Sequence, residues 1–313
     1  MSIDVVCVGQ ICLDVLIKGI DLSVPLGREM EMPESITTCV GGDATNQSIV
    51  MSRLGLRSRL ICGVGGDDAG IFVKDIVTRA GVDTSHFVTA PDSATLVSVV
   101  VIAPDGQRNF IHIDPSHYPS FEPDASAMKA RIVSFASLMI PPFTDAERVT
   151  RMAQMAKENG SVLCADVVAF DDISRLERYR PAMQYVDFIF PNENEGMRLT
   201  GRDSLDGVAD HLLDMGVKNV VIKTGKRGCF LKNSEARAEV PTFDDAPVLD
   251  TTGAGDNFAS GFMLALLEDR PLIECCRVAN AVASVAVGSI GANTGVKSRA
   301  QIEEFMASHG IQT

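Results

Sequence analysis

Absences narrow the field first. The sequence Gly-x-x-x-x-Gly-Lys-Ser/Thr occurs nowhere, which excludes a P-loop phosphate site. No window approaches the roughly 18 uninterrupted apolar residues of a membrane-spanning helix. Basic residues are scarce: 28 Lys and Arg face 41 Asp and Glu, a net charge of −13. Nucleic acid and acidic membrane surfaces both require Lys/Arg neutralisation, so neither is an expected partner. ATP stays open, because a phosphate site uses local N–H groups and a metal rather than global charge. None of the eight cysteines forms a C-x-x-C pair. Cys7, Cys12, Cys39, Cys62, Cys164 and Cys229 sit among apolar neighbours, and Cys275-Cys276 lies in a helical pattern. They read as small buried hydrophobes, without zinc. Met1-Ser2-Ile3-Asp4 enters an apolar strand with no basic n-region, so a reduced, cytoplasmic protein is expected.

The residues that are present centre on Asp250-Thr251-Thr252-Gly253-Ala254-Gly255-Asp256-Asn257-Phe258. Phe258, Phe262, Ala265 and Leu266 recur at helical spacing, so this stretch runs from a turn into a long apolar helix. Two glycines before such a helix let backbone approach a ligand and aim unpaired N–H groups at it, and the helix dipole favours an anion there. A carboxylate in that place should repel an anion. Asp256 makes sense if it accepts a proton from a hydroxyl that attacks the anion. The competing reading is an ordinary loop with an acid in the first helical turn.

Elsewhere, with 313 residues and 46% apolar content, the chain can bury a full core. There is no repeat and no low-complexity linker, so a single domain over 1–313 is expected. Ile3–Val8 reads as a strand, and Asp14 follows shortly past its end, where α/β sheets bind ligands or where a solvated loop carboxylate would sit. Segments 13–18, 35–39, 96–102 and 109–113 also read as strands, with Pro104-Asp105-Gly106 as a turn between the last two. They break the βα rhythm and are expected to form a small separate sheet. Gly41-Gly42-Asp43-Ala44-Thr45-Asn46 opens a helix that runs to Leu54-Gly55. From residue 59, strands at 59–64, 138–140, 162–166, 188–191 and 220–224 alternate with helices at 69–80, 145–159, 204–215, 271–289 and 299–309. That alternation implies a doubly wound, mostly parallel α/β sheet flanked by helices. Asn192-Glu193-Asn194-Glu195 suits a capped helix start or a site past a strand end. Lys223-Thr224-Gly225-Lys226-Arg227-Gly228 suits a hairpin turn or a nucleotide loop.

Taken in order, these motifs resemble the ribokinase-like (PfkB) sugar kinases, and the resemblance covers essentially the whole chain. It implies a ribokinase-like fold with a β-sheet lid over the sugar site, and an ATP-dependent kinase acting on a hydroxymethyl group of a sugar or sugar-like molecule. By resemblance, Asp256 is the base and Gly253, Ala254 and Gly255 form the anion hole. Asp14, Gly42, Asn46 and Asp256 bind the sugar. Asn192, Thr224, Gly225, Gly228 and Asn280 lie by the nucleotide. Glu195 acts near Mg²⁺ through water, and Asp250 and Thr252, with the Gly288–Gly295 loop, bind a monovalent cation such as K⁺. Family members that use ribose carry Lys where this chain has Asp43, and a Glu near Ile140-Pro141-Pro142-Phe143, so ribose itself is in doubt. A nucleoside kinase, or a non-catalytic sugar-binding protein of this fold, are the alternatives. Arg108, Phe110 and His112 alternate on a lid strand, leaving open which face reaches the sugar. Apolar lid residues Leu96, Val97, Val99, Val101, Phe110 and Ile111 imply a homodimer formed through the lid.

Overall fold

The structure is a computed structural model that describes residues 2–20, 33–103, 108–112, 118–119, 121–168, 173–243 and 247–311. The chain opens with β1 (Val5–Val8), β2 (Cys12–Lys18), β3 (Ser35–Gly41) and α1 (Asp43–Arg53). It continues through β4 (Ser58–Ile61), β5 (Gly63–Gly65), α2 (Asp68–Arg79), β6 (Val88–Ala90), β7 (Val97–Ile102), β8 (Arg108–His112) and β9 (Ile132–Leu138). Next come α3 (Ala146–Glu158), β10 (Val162–Val167), α4 (Ile173–Glu177), α5 (Arg180–Met183), β11 (Phe188–Ile189), α6 (Glu193–Thr200), α7 (Leu205–Asp214) and β12 (Asn219–Lys223). The last elements are β13 (Cys229–Asn233), β14 (Arg237–Val240), α8 (Ala254–Leu267), α9 (Leu272–Ala286) and α10 (Arg299–Ser308).

The main sheet has the order β14-β13-β12-β11-β10-β9-β1-β4, parallel from β4 through β12 and antiparallel across the last two pairs. Parallel strands covered on both faces are continuously apolar, and β1 and β9 are buried at every position. Alternate side chains feed two cores. Val5 and Cys7 pack with α1, α2, α8, α9 and α10, while Val6 and Val8 pack with residues of α3 through α7. Caps set several helix starts: Asp145, Ser204 and Ser298 each accept a backbone N–H of the first turn. Such a sheet places its ligand crevice beyond the carboxyl ends of its strands.

Three strand expectations need correction. Segment 59–64 is two strands, because β4 stays in the main sheet while β5 leaves to pair with β6. Of the expected 138–140 strand only Leu138 is in a strand, as the last residue of β9, which begins six residues earlier at Ile132; Met139 and Ile140 lie in the turn that follows. The β13–β14 hairpin was not anticipated, and it makes the sheet mixed at one edge.

The four extra strands do form a separate sheet, in the order β3-β2-β7-β8. The Pro104-Asp105-Gly106 turn and Ile113 lie outside the described residues. The cysteines carry no disulfide among the described residues, and all are buried except Cys39, which is half-buried on β3.

Candidate active site

Helix α8 begins at Gly253, which holds a left-handed backbone (φ 71°) and supplies no side-chain cap. A Cβ there would meet the Ala292 carbonyl oxygen at 2.5 Å, so only glycine lets the 288–295 loop lie against the helix start. The Ala254 N–H is taken by the Thr251 carbonyl at 3.2 Å. The amides of Gly255 and Asp256 follow, in the turn whose N–H groups have no intrahelical partner. Here the helix dipole favours negative charge.

Asp256 is buried in that turn. Its Oδ2 accepts a 2.8 Å hydrogen bond from Asn46 Nδ2. Asn46 Oδ1 accepts in turn from Asn293 Nδ2 at 2.8 Å, and Asn293 Nδ2 also donates to the Val40 carbonyl at 3.1 Å. This chain of bonds fixes the Asn46 amide. Burial, and then the charge of Asp43, push the Asp256 carboxyl well above the ordinary carboxylate range, against a smaller lowering by Asn46. Asp43 itself is raised by burial, and its carboxylate accepts from the Ser137 hydroxyl. Ser137 and Met139 both hold left-handed backbone (φ 66° and 76°) at the end of β9. Strain of this kind concentrates at working sites.

The loop beside the start of α8 is tied at both ends. Asp250 accepts the Thr252 N–H and the Gly291 N–H, each at 2.8 Å. Arg53 donates to the carbonyls of Asn293 and Val296. Gly42, between lid and α1, has φ 96°, and a Cβ there would reach the Gln10 carbonyl at 2.5 Å.

Next to this turn an open cleft of about 500 Å³ is lined by Val168, Asn192, Glu193, Asn194, Glu195, Arg198, Lys223, Thr224 and Gly225. Asn192 and Glu195 form a reciprocal capping box: Asn192 Oδ1 accepts from the Glu195 N–H at 2.8 Å, and the Asn192 N–H donates to Glu195 Oε2 at 2.7 Å. The capped helix start and the strand-end position are thus one and the same. Burial raises Glu195 to about 7, against the pull of Lys223. Gly225–Arg227 is a turn that joins antiparallel β12 and β13, and Lys226 and Arg227 are exposed. Gly228 is required by its φ of 96° and by the Val240 carbonyl, which a Cβ would meet at 2.1 Å. Asn280 is buried behind the hairpin, its amide bonded to the Val240 and Pro241 carbonyls at 3.1 and 3.0 Å.

The register of the small sheet sorts its residues onto two faces. Cys39, Asp14, Ser98 and His112 form one cross-strand row, so they share a face. Asp14 is raised by burial, and its Oδ1 accepts from Cys12 Sγ at 3.3 Å. The opposite face carries Ile36, Ile17 and Val101 in one row and Thr38, Val15, Val99 and Ile111 in the next. The side chains of Arg108 and Phe110 lie outside the described residues.

The family model for pfkB family carbohydrate kinase matches residues 2–299. The chain belongs to the pfkB family. This pfkB kinase is an enzyme, a carbohydrate kinase. It is 27% identical to a ribokinase of Haemophilus influenzae over 271 residues, covering 85% of this chain and 87% of that one. It is 30% identical to a nucleoside kinase of Methanothermobacter thermautotrophicus over 281 residues, covering 87% and 86%. A solved structure of Arabidopsis thaliana ribokinase complexed with ribose and ATP aligns with a TM-score of 0.85 at 25% identity, over 98% of this chain and 99% of that one. The fold is ribokinase-like. Among the described residues no helix is long and apolar enough to cross a membrane.

Sequence reasoning gave no role to four residues found here: Lys223 and Asn293 lay in its loop motifs without one, and Asp166 and Ser137 were not singled out. Lys223 and Asp166 form a largely buried ion pair, with Nζ 2.9 and 3.0 Å from the two carboxylate oxygens. Asn293 and Ser137 hold Asn46 and Asp43. Only Lys223 had a local signal, because it ends β12 immediately before the glycine loop. The others are brought in by packing.

Proposed function

We propose that this kinase phosphorylates a hydroxymethyl group on a sugar or sugar-like small molecule, with Asp256 as the base. The observation that carries the reading is the buried Asp256 carboxylate, which stands in the uncapped first turn of α8 and is oriented by Asn46. Asp14, Gly42 and Asn46 bind the sugar hydroxyls, and Asn46 positions both substrate and base. The acceptor oxygen attacks the terminal phosphorus of ATP as its proton passes to Asp256. The amides of the 253–256 turn receive the charge that spreads over the transferred group. Asn192, Thr224 and Gly225 line the nucleotide's cleft, and Gly228 and Asn280 shape the hairpin behind it.

Mg²⁺ fits the donor set. Buried oxygen ligands suit a hard cation, and Glu195 lines the cleft within electrostatic reach of Asp166 and Asp43. Among the described residues no three His, Cys, Asp or Glu side chains converge to hold a metal directly. Mg²⁺ sheds its waters reluctantly, so Glu195 acts on it through water. When bound, the ion neutralises phosphate charge.

A nucleoside kinase is the second reading, supported by the 30% identity to the nucleoside kinase of Methanothermobacter thermautotrophicus. ATP turnover measured over ketoses, pentoses, sugar acids and nucleosides tests both. Transfer to a sugar hydroxymethyl group is expected. Transfer to nucleosides alone would replace the first reading with the second, and no transfer to any acceptor would remove both.

A K⁺ site formed by Asp250, Thr252 and the 288–295 loop is part of the same proposal, since Asp250 already joins the two segments. Activity in K⁺ should exceed that in a bulky organic cation severalfold, through ordering of the helix start. Equal rates in the two salts would discard the site.

The lid is proposed to mediate a homodimer. On the face opposite Asp14, Ile36 and Ile111 are each 62% exposed. Large apolar side chains clustered on an exposed sheet mark a partner surface. Val101 is already buried, so Val99→Glu and Ile111→Glu are the informative changes. Light scattering should report a dimer at micromolar concentration for the parent and monomers with weakened sugar binding for both variants. A monomeric parent would sink the assignment.

A further inference from the structure

Lys223 is the buried cation of the site. Its ammonium closes against Asp166 at the ends of β12 and β10, with β11 between them. It also lies against the anion-hole turn. A Cβ built on Gly255 would stand 2.9 Å from Nζ, so the glycine is small where the lysine arrives. On its other side the residue lines the cleft with Asn192, Glu195, Thr224 and Gly225. It therefore bridges the volume assigned to the nucleotide and the turn that holds the base.

Charge supports a role beyond pairing. Asp166, Glu195, Asp256 and Asp43 all act electrostatically on this one ammonium. Burial works to lower its pKa, yet Asp166 and then Glu195 outweigh burial and hold it above the ordinary lysine value. Polyphosphate entering such an acidic wall needs compensation where the charge develops. The dipole of α8 supplies about half an elementary charge. Arg198 also lines the cleft, but from an exposed position on α6. An ammonium carries three donors, and among the described residues its hydrogen bonds go to Asp166 alone.

We propose that Lys223 is a second catalytic residue, its ammonium contacting the non-bridging oxygens of the phosphoryl group in flight, with Asp166 as the residue that positions it. The inference rests on the kinase reading above. In the step, the acceptor oxygen bonds to the terminal phosphorus and its proton passes to Asp256. The bond from that phosphorus to the bridging oxygen breaks, and its electron pair leaves on ADP. Lys223 gains and loses no proton; it offsets charge.

The experiment is a paired substitution, because Lys223→Gln alone strands the Asp166 carboxylate in the interior. Lys223→Gln with Asp166→Asn removes both charges and keeps hydrogen-bonding partners. It should melt cooperatively near the parent temperature, hold the sugar KM within threefold, and lose about 10²–10³-fold in kcat. If the double variant does not melt cooperatively, Lys223→Met with Asp166→Leu takes its place under the same criteria. A folded neutral pair with kcat within threefold of the parent would show a structural ion pair only and overturn the proposal. Asp256→Asn, assayed alongside, separates this from the underlying reading. If Asp256→Asn is inactive while the neutral pair is active, Lys223 alone is wrong; if Asp256→Asn is fully active, the kinase reading with Asp256 as base falls, and Lys223 with it.

Discussion

Asp256→Asn should lower kcat by about 10²–10⁴-fold, the usual scale for loss of a general base, while ATP binding stays within a few-fold of the parent. The substitution is close to isosteric and leaves the helix start filled, so folding should survive. Asn46 Nδ2 now donates to Asp256 Oδ2 at 2.8 Å, and an asparagine oxygen can still accept that bond. Only the proton acceptor is removed. The pH profile sharpens the test. Burial, followed by the Asp43 and Asp166 charges, raises Asp256, and Asn46 and Lys223 pull it back. A base works when ionised, so activity falls as pH drops through its pKa. A raised pKa places that acid limb above the ordinary aspartate range near ~4. The parent should show this limb in kcat/KM and the residual activity of Asp256→Asn should not. A variant within threefold of the parent would end the assignment.

Gly253→Val should be nearly as damaging, with kcat lowered about 10²–10³-fold, the scale for losing one oxyanion-type donor. The reason is backbone geometry. At φ 71° a β-branched residue is strained, at a cost on the order of 1–3 kcal/mol. Its Cβ would also fall 2.5 Å from the Ala292 carbonyl oxygen. The turn must then unwind or the 288–295 loop must back away, and in either case the Gly255 and Asp256 amides lose their aim. Kinetics and a thermal melt together decide the matter. A modest fall in melting temperature with intact kcat would show that this turn does not hold the transferred group.

Much of this arrangement was readable from residue order. The four lid strands stood out because β-branched residues alternate there and the βα rhythm lapses. The α8 start stood out because glycines precede an apolar helix. Asn192 and Glu195 carried a capping-box spacing that the fold uses as such. Strand β9 was mostly missed because Ser134, Ala136 and Ser137 dilute its apolar run, and burial on both faces removes the two-residue period that marks strands. The β13–β14 edge hid behind Lys232, Arg237 and Glu239, which suit an exposed strand and a loop equally well. Lys223 and Asp166 are 57 positions apart and meet only because β10, β11 and β12 are neighbours in the sheet. Asn293 reaches Asn46 across 247 positions, a pairing that no local pattern encodes.

The connection between lid and body has a mechanical consequence. Strand β3 ends at Gly41 and α1 starts at Asp43, so a single residue separates the small sheet from the helix that carries Asn46. That residue, Gly42, is pressed against the Gln10 carbonyl just ahead of β2, the neighbouring lid strand. The lid therefore has no slack of its own. Tilting it turns the same joint that sets Asn46 against Asp256. Any tilt of the sheet about Gly42 would therefore be felt at the hydrogen bond from Asn46 to Asp256.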